Sequence, residues 1–483
     1  MMLSRREILT QLTAGVAGSM LLPSLPVLAA EPVSSITGPI TGGRRGHPFS
    51  AFVDDLDTYG YVEEEYFLEG DAVQYRPTTD LSKDGKWDVE PGDKARYKTR
   101  LLVRRPKDPA KFNGTVVVEW LNVTVGWEIA LLGSVSRDLY RDGFAFVMVS
   151  CQQIGLNGFA LAPQGLKRWD PDRYGTLSTP GDSYSFDMFS QAGRAVGPTR
   201  PSSSVDPLGG LEVKQVIATG ASQSAGRLRT YMNAIHPRDQ VFDAYMPMID
   251  FGVRVSFDDK VLDLTVPSSS SPDTGFFQPT CIRDDLDVPT IVVNSETETL
   301  FSLATKQPDT EKFRFWEVAG ASHAPQPNSK YMESLRRRDG LMGASLSIGS
   351  KITWQPTADA ALVALARWAA GGTAPAEQAR IEVTEGTNPQ VVRDEHGNAR
   401  GGVRLPEVEV PIACNKGETA AFSLASLYGT SKPLPSEVLK QLYPTPEVYQ
   451  QKVSEAAEAA LKAGVIRPGR VDEYVEQAKH VQV

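Results

Sequence analysis

Cysteine is scarce. The three in 483 residues, Cys151, Cys281 and Cys414, are too few and too scattered for a disulfide framework, and at most one bridge could form. Metal-ligand spacings are missing as well: there is no Cys-x-x-Cys, no His-Glu-x-x-His and no close His/Asp cluster, so neither a metal nor a cofactor is expected. Basic charge is in deficit. Lys and Arg total 50 against 59 Asp and Glu, a formal net charge of -9, and no basic stripe is interleaved with aromatics. That balance argues against nucleic acid or an anionic membrane as partner. No internal repeat is visible. Histidine is rare too, with five in the chain, which leaves few candidates for a proton-shuttling base.

The first thirty residues read as an address, not as part of a fold. Ser4-Arg5-Arg6 precedes a weakly hydrophobic run from Leu12 to Leu22, then Pro23, Pro26 and Val27-Leu-Ala-Ala30. A charged start, an apolar middle and a small-residue end make an export signal. The paired arginines resemble the twin-arginine type, with Ile8 where phenylalanine is more typical. The run is shorter than the ~20 apolar residues a spanning helix needs. Cleavage after about residue 30, no lasting membrane anchor and a periplasmic or secreted location are therefore expected.

What is present after that is an α/β pattern. Tyr59–Phe67 and Tyr97–Arg104 alternate β-branched and aromatic residues, as antiparallel strands do, around a polar excursion from Thr78 to Asp93. Thr115–Trp120, Phe144–Val149, Val213–Thr219, Phe242–Met248, Pro289–Asn294 and Phe313–Val318 are short and nearly all apolar, the composition of strands covered on both faces. Helices are expected over Glu128–Tyr140, Asp187–Val196 and Ala358–Ala370, and behind residue 222, where Leu228, Met232 and Ile235 share one face. Strand–helix–strand alternation implies a mostly parallel, doubly wound sheet with an antiparallel N-terminal part. Residues 252–280 interrupt the late strands as a lid or as a plain surface loop. Beyond about 376 a turn-rich stretch, an edge-like Leu405–Pro411 and helices near 446–464 and 471–478 suggest an accessory extension (376–483) packed on a 31–375 domain.

The chemistry concentrates in Gly220-Ala-Ser222-Gln-Ser224, a small-x-Ser-x-small turn between a strand and a helix. Such a turn projects its serine hydroxyl outward, and the helix start beneath it favours negative charge. This is the nucleophile elbow of an α/β-hydrolase, with Ser222 as nucleophile and Ser224 as rival. Chain order then asks for an acid and afterwards a histidine. His47 precedes the core, His236 ends the elbow helix before Pro237, His396 sits in a surface turn and His480 in the tail. His323 follows the last core strand directly, where the base loop belongs. The acid belongs after the preceding strand, where Glu296 and Glu298 compete; Glu298 is favoured and Glu296 is the alternative. Oxyanion donors are expected from the N–H of Gln223 and from the loop around Asn122. Trp120, Trp127, Phe276 and Phe277 are candidates to line a pocket.

Several stretches together resemble a known family: Gly220–Ser224, Val117–Asn122, Arg173–Asp182, Gly397–Pro406 and Leu442-Tyr-Pro444. They are similar to the proteins called simply alpha/beta hydrolase domain proteins, many of them exported bacterial enzymes, and the likeness spans most of the chain after residue 30. The resemblance implies a serine ester hydrolase acting on a small or oligomeric ester, and leaves the substrate open. Acyl transfer or amide cleavage on the same residues, or a non-catalytic binding protein of the same fold, are the competing readings. On oligomeric state the sequence is silent.

Overall fold

The polypeptide places its most apolar short runs at the centre of one sheet, because only there are both faces of a strand covered. The structure, a computed structural model, describes residues 34–203, 205–260, 262–263, 265, 278–343, 349–417 and 424–482. The expected export signal, residues 261, 264 and 266–277 of the inserted segment, and with them Phe276-Phe277, lie outside them. Strands run in chain order as β1 (Ser35–Thr37), β2 (Tyr61–Pro77), β3 (Val89–Pro106), β4 (Thr115–Trp120), β5 (Ala145–Val149), β6 (Gln215–Ala221) and β7 (Ala244–Met248). Then come β8 (Val253–Arg254), β9 (Gln278–Pro279), β10 (Thr290–Ser295), β11 (Phe313–Val318), β12 (Ala413–Lys416) and β13 (Thr430–Pro433).

Nine of them make one sheet in the order β1-β2-β3-β5-β4-β6-β7-β10-β11. The β1, β2, β3 and β5 neighbours pair antiparallel, and every pairing from β5 to β11 is parallel. This is the α/β-hydrolase fold expected of the sequence. Alternation along β4 sorts its side chains: Val116 and Val118 enter one core, Val117 the other. The first core is closed by helix α1 (Ser185–Val196) through Phe186, Phe189 and Val196, and by Leu228, Met232 and Ile235 after the elbow. Helix α2 (Gln223–Thr230) follows β6 directly. After α3 (Gln326–Asp339), helix α4 (Gln355–Ala369) covers the opposite face with Ala358, Leu362 and Leu365. Onto that same core pack α5 (Pro446–Lys462) and α6 (Pro468–Ala478), through Tyr449, Val453, Ala457, Ala460 and Tyr474.

Two local expectations are overturned. In place of a helix over Glu128–Tyr140, only Asp138–Arg141 is helical. Asn122 and Ile129 bridge antiparallel, and the Glu119 carboxylate, reaching out of β4, accepts from Leu132 N and Gly133 N at 2.9 and 2.8 Å. With their N–H groups satisfied by a side chain, these residues have no need of a helical ladder. The edge-like Leu405–Pro411 contains a helical turn, Pro406–Glu409, because Pro406 stands at the first helical position, where proline fits. The polar excursion between β2 and β3 is shorter than read: β3 begins inside it at Val89, and Trp87 within it is buried. At the base of the 252–280 insertion, β8 and β9 pair antiparallel. Among the described residues no helix is long and apolar enough to cross a membrane.

Candidate active site

Strand β6 ends on a residue held in a conformation side chains rarely adopt. Ser222 has φ 60° and ψ -122°, its N–H donates to Met248 O at 3.0 Å, and α2 begins at the next residue. Such a backbone costs of order 1–3 kcal/mol and persists only where the surroundings enforce it. They do. A Cβ on Gly220 would lie 2.8 Å from Ser224 O, so the turn closes only over glycine. Ser224 is fully buried and locks the turn reciprocally: Ala221 N donates to its Oγ at 3.0 Å, and the Oγ donates to Ala221 O at 2.9 Å. That leaves Ser222 as the hydroxyl facing the site.

His323 follows β11 on the neighbouring loop, and its Nε2 lies 2.9 Å from Ser222 Oγ. Its Nδ1 lies 2.7 Å from Glu298 Oε1. With the carboxylate ionised, Nδ1–H donates to Glu298, and Nε2 is left to accept the serine proton. Glu298 is fully buried; its Oε2 accepts from Ser295 N and Ser295 Oγ at 2.8 and 2.7 Å, which fixes the carboxylate plane. The imidazole is steadied further. His323 N donates to Thr297 Oγ1 at 2.9 Å, Trp354 Nε1 donates to His323 O at 3.2 Å, and the Phe251 ring stacks on the imidazole with centroids 5.0 Å apart.

The other acid, Glu296, is engaged elsewhere. Its Oε2 accepts from Gly320 N at 2.7 Å, its Oε1 accepts from Gly417 N at 3.0 Å, and Arg393 Nη1 lies 2.7 Å from Oε1. Of the remaining histidines, His47 meets Asp339 and His236 meets Asp287, each at 3.0 Å.

Asn122 does something other than expected. Its N–H is used on Ile129 O at 3.0 Å, so it presents no backbone donor. Its side chain braces the elbow instead: Nδ2 donates to Ala221 O at 3.0 Å, and Oδ1 accepts from Thr124 N at 2.9 Å. The N–H groups of Val123, next to Asn122 in the chain, and of Gln223, next to Ser222, donate to no acceptor among the described residues. For Gln223 the reason is general, since the first N–H groups of a helix have no partner within it. The Asn122–Ile129 bridge that occupies the Asn122 N–H is one that spacing cannot reveal.

The tryptophans do not line this site. Trp120 packs on Phe186 and Phe189 and Trp127 on Phe49, each in a core. All three cysteines are free. Among the described residues no group of three or more His, Cys, Asp and Glu is arranged to hold a metal ion.

No curated protein matches the chain. Solved structures that resemble it include a glucuronoyl esterase from Solibacter usitatus, 11% identical over 61% of this chain and 82% of that one, with a TM-score of 0.29. Esterase Est22 is 11% identical over 50% and 67%, with a TM-score of 0.25. Brefeldin A esterase, a bacterial homologue of human hormone-sensitive lipase, is 11% identical over 56% and 66%, with a TM-score of 0.23. Likenesses this distant bear on neither substrate nor mechanism. The family described as an alpha/beta hydrolase domain, by contrast, matches residues 36–476. A match that runs from the first strand of the sheet into the last helix means that the chain belongs to the alpha/beta hydrolase domain family.

Proposed function

We propose that the protein is a serine hydrolase of carboxylic esters, working through an acyl-enzyme. The observation that carries the reading is the unbroken hydrogen-bonded line Ser222 Oγ–His323 Nε2, His323 Nδ1–Glu298 Oε1, built on a strained elbow. Ser222 Oγ attacks the acyl carbon as His323 Nε2 takes its proton. The imidazolium then returns that proton to the leaving alkoxide, and water repeats the sequence on the acyl-enzyme. Glu298 holds the tautomer and balances the charge that forms on the ring. The N–H groups of Gln223 and Val123 receive the oxyanion, worth about 2.7–4 kcal/mol per donor in sites of this kind. From the arginine pair and apolar run in residues 1–30 we further propose export from the cytoplasm.

A fluorophosphonate probe tests the assignment. It is expected to label the purified protein at Ser222, and Ser222→Ala is expected to abolish labelling and cut hydrolysis of short aryl esters by roughly 10³-fold or more. Labelling at Ser224, or none in the folded protein, would sink the mechanism.

A further inference from the structure

The sheet ends at β11, yet the chain returns to it. Val403 pairs with Val318 in parallel, and Ala319 N donates to Val403 O at 3.0 Å. That contact comes from the Gly397–Pro406 stretch, for which the triad has no use. On its other side the same stretch bridges Ala399 to Arg393, whose guanidinium reaches Glu296 at 2.7 Å. A few residues on, Gly417 fits between Glu296 and the histidine loop. A Cβ there would lie 2.0 Å from Ala321 O and 2.7 Å from Glu296 Cβ, so nothing larger fits. Gly417 O accepts from Thr297 Oγ1, the atom that accepts the N–H of His323. Ala324, just past the histidine, donates to Leu427 O at 2.8 Å.

Glu296 is the hub of this arrangement. Fully buried, it gathers Gly320 N from the histidine loop, Gly417 N from the C-terminal segment and the Arg393 guanidinium, while its own N–H donates to Ala321 O at 3.0 Å. A buried carboxylate with two N–H donors and a cation is held in place strongly and directionally. We propose that Glu296, held by Arg393, Gly320 and Gly417, is a positioning residue that sets the 319–324 loop so that His323 Nε2 meets Ser222 Oγ. Residues 393–417 and 424–428 thereby complete the active site. This rests on Ser222, His323 and Glu298 being the working triad.

Burial pushes the Glu296 carboxyl up, and Arg393 opposes the rise. Taking the guanidinium away therefore lets Glu296 hold a proton to higher pH and weakens its grip on Gly320 and Gly417. For Arg393→Met, kcat on p-nitrophenyl acetate at neutral pH is expected to fall roughly 10- to 100-fold with little change in KM, since a misplaced base costs turnover rather than binding. The acid limb of its kcat–pH profile is expected to move upward by about one pH unit or more. Adding Glu296→Gln removes the ionisable group and should return that limb to its wild-type position, whereas Arg393→Lys alone should restore most of the turnover. Wild-type kcat and pH profile in Arg393→Met, even with a lower Tm, would overturn the proposal and leave the contact merely structural. Should Arg393→Met not fold, Glu296→Gln alone is read the same way: a roughly tenfold or greater kcat loss supports the role, and unchanged kcat overturns it. Failure of fluorophosphonate labelling in the wild type is a separate outcome, which removes the triad itself.

Discussion

A base that takes a proton from serine becomes a cation for the life of the transition state, so what lies against its face matters. The Phe251 ring lies against His323 at 5.0 Å with planes 26° apart, and Phe301 meets Phe251 edge-on. A cation over an aromatic face gains about 0.5–2 kcal/mol. Phe251→Leu is therefore expected to slow acylation by roughly 2- to 30-fold in stopped-flow measurements, while Phe251→Tyr, which keeps the face, stays near wild type. Equal losses in the two variants would mean that the ring contributes packing alone. At this scale the sequence was most informative where chain order constrains chemistry. One serine on a strand–helix turn, one histidine after the last strand and one acid loop between them left few combinations, and Ser222, Glu298 and His323 do lie in hydrogen-bonding reach. Choosing between Glu296 and Glu298 could not be settled from spacing, because the partners of Glu296, Arg393 and Gly417, are about a hundred residues away.

Among the elements, the β2–β3 hairpin and the loop after β4 are joined by buried charge. Arg100, with no exposed surface, pairs with Glu65 and with Glu128 at 2.9 Å, and Glu65 pairs in turn with Arg173. Burial pushes Glu128 up and Arg100 counters it. Arg100→Met leaves Glu128 without its cation, while Glu65 keeps Arg173, and removing one partner of a buried pair costs about 3–5 kcal/mol. Denaturant unfolding should show that loss as a lower midpoint with unchanged slope; a loss under about 1 kcal/mol would mean that the pair is replaceable. The same loop explains why one helix was misread. Glu128–Tyr140 has a helix-like pattern of apolar residues, but Glu119 and Arg100 reach in from strands and satisfy it otherwise. The central strands were legible because covering both faces demands an unbroken apolar run, as in Thr115–Trp120. A loop organised by side chains from distant strands carries no such local mark.

Over the whole molecule, the C-terminal helices are not an ornament on the sheet. Arg470 of α6 reaches Asp138 at 2.8 Å and Asp359 of α4 at 3.6 Å, and Asp359 accepts from Ser136 Oγ at 2.6 Å. Burial pushes the Asp359 carboxyl up to about 7, against the opposing Ser136 hydrogen bond and Arg470 charge. The sign follows. The folded state keeps the Asp359 proton to higher pH than the unfolded chain does, so its contribution is full below about pH 4 and is lost as pH rises toward 7. Asp359→Asn, which keeps the acceptor oxygen but cannot ionise, is expected to flatten the fall in stability across that window by about 1–4 kcal/mol relative to wild type. Parallel slopes of Tm against pH in the two proteins would refute it.

The order of the parts along the chain gives the Gly417 contact a further meaning. Val123, Ser222 and Gln223 all precede His323 in the chain. The residues on which the histidine loop leans, Arg393, Gly417 and Leu427, all lie downstream of it in the chain. On the positioning role proposed for Glu296, a chain cut between residues 324 and 393 would carry Ser222 and His323 without the contacts that seat the histidine loop, and is expected to lose its fluorophosphonate labelling.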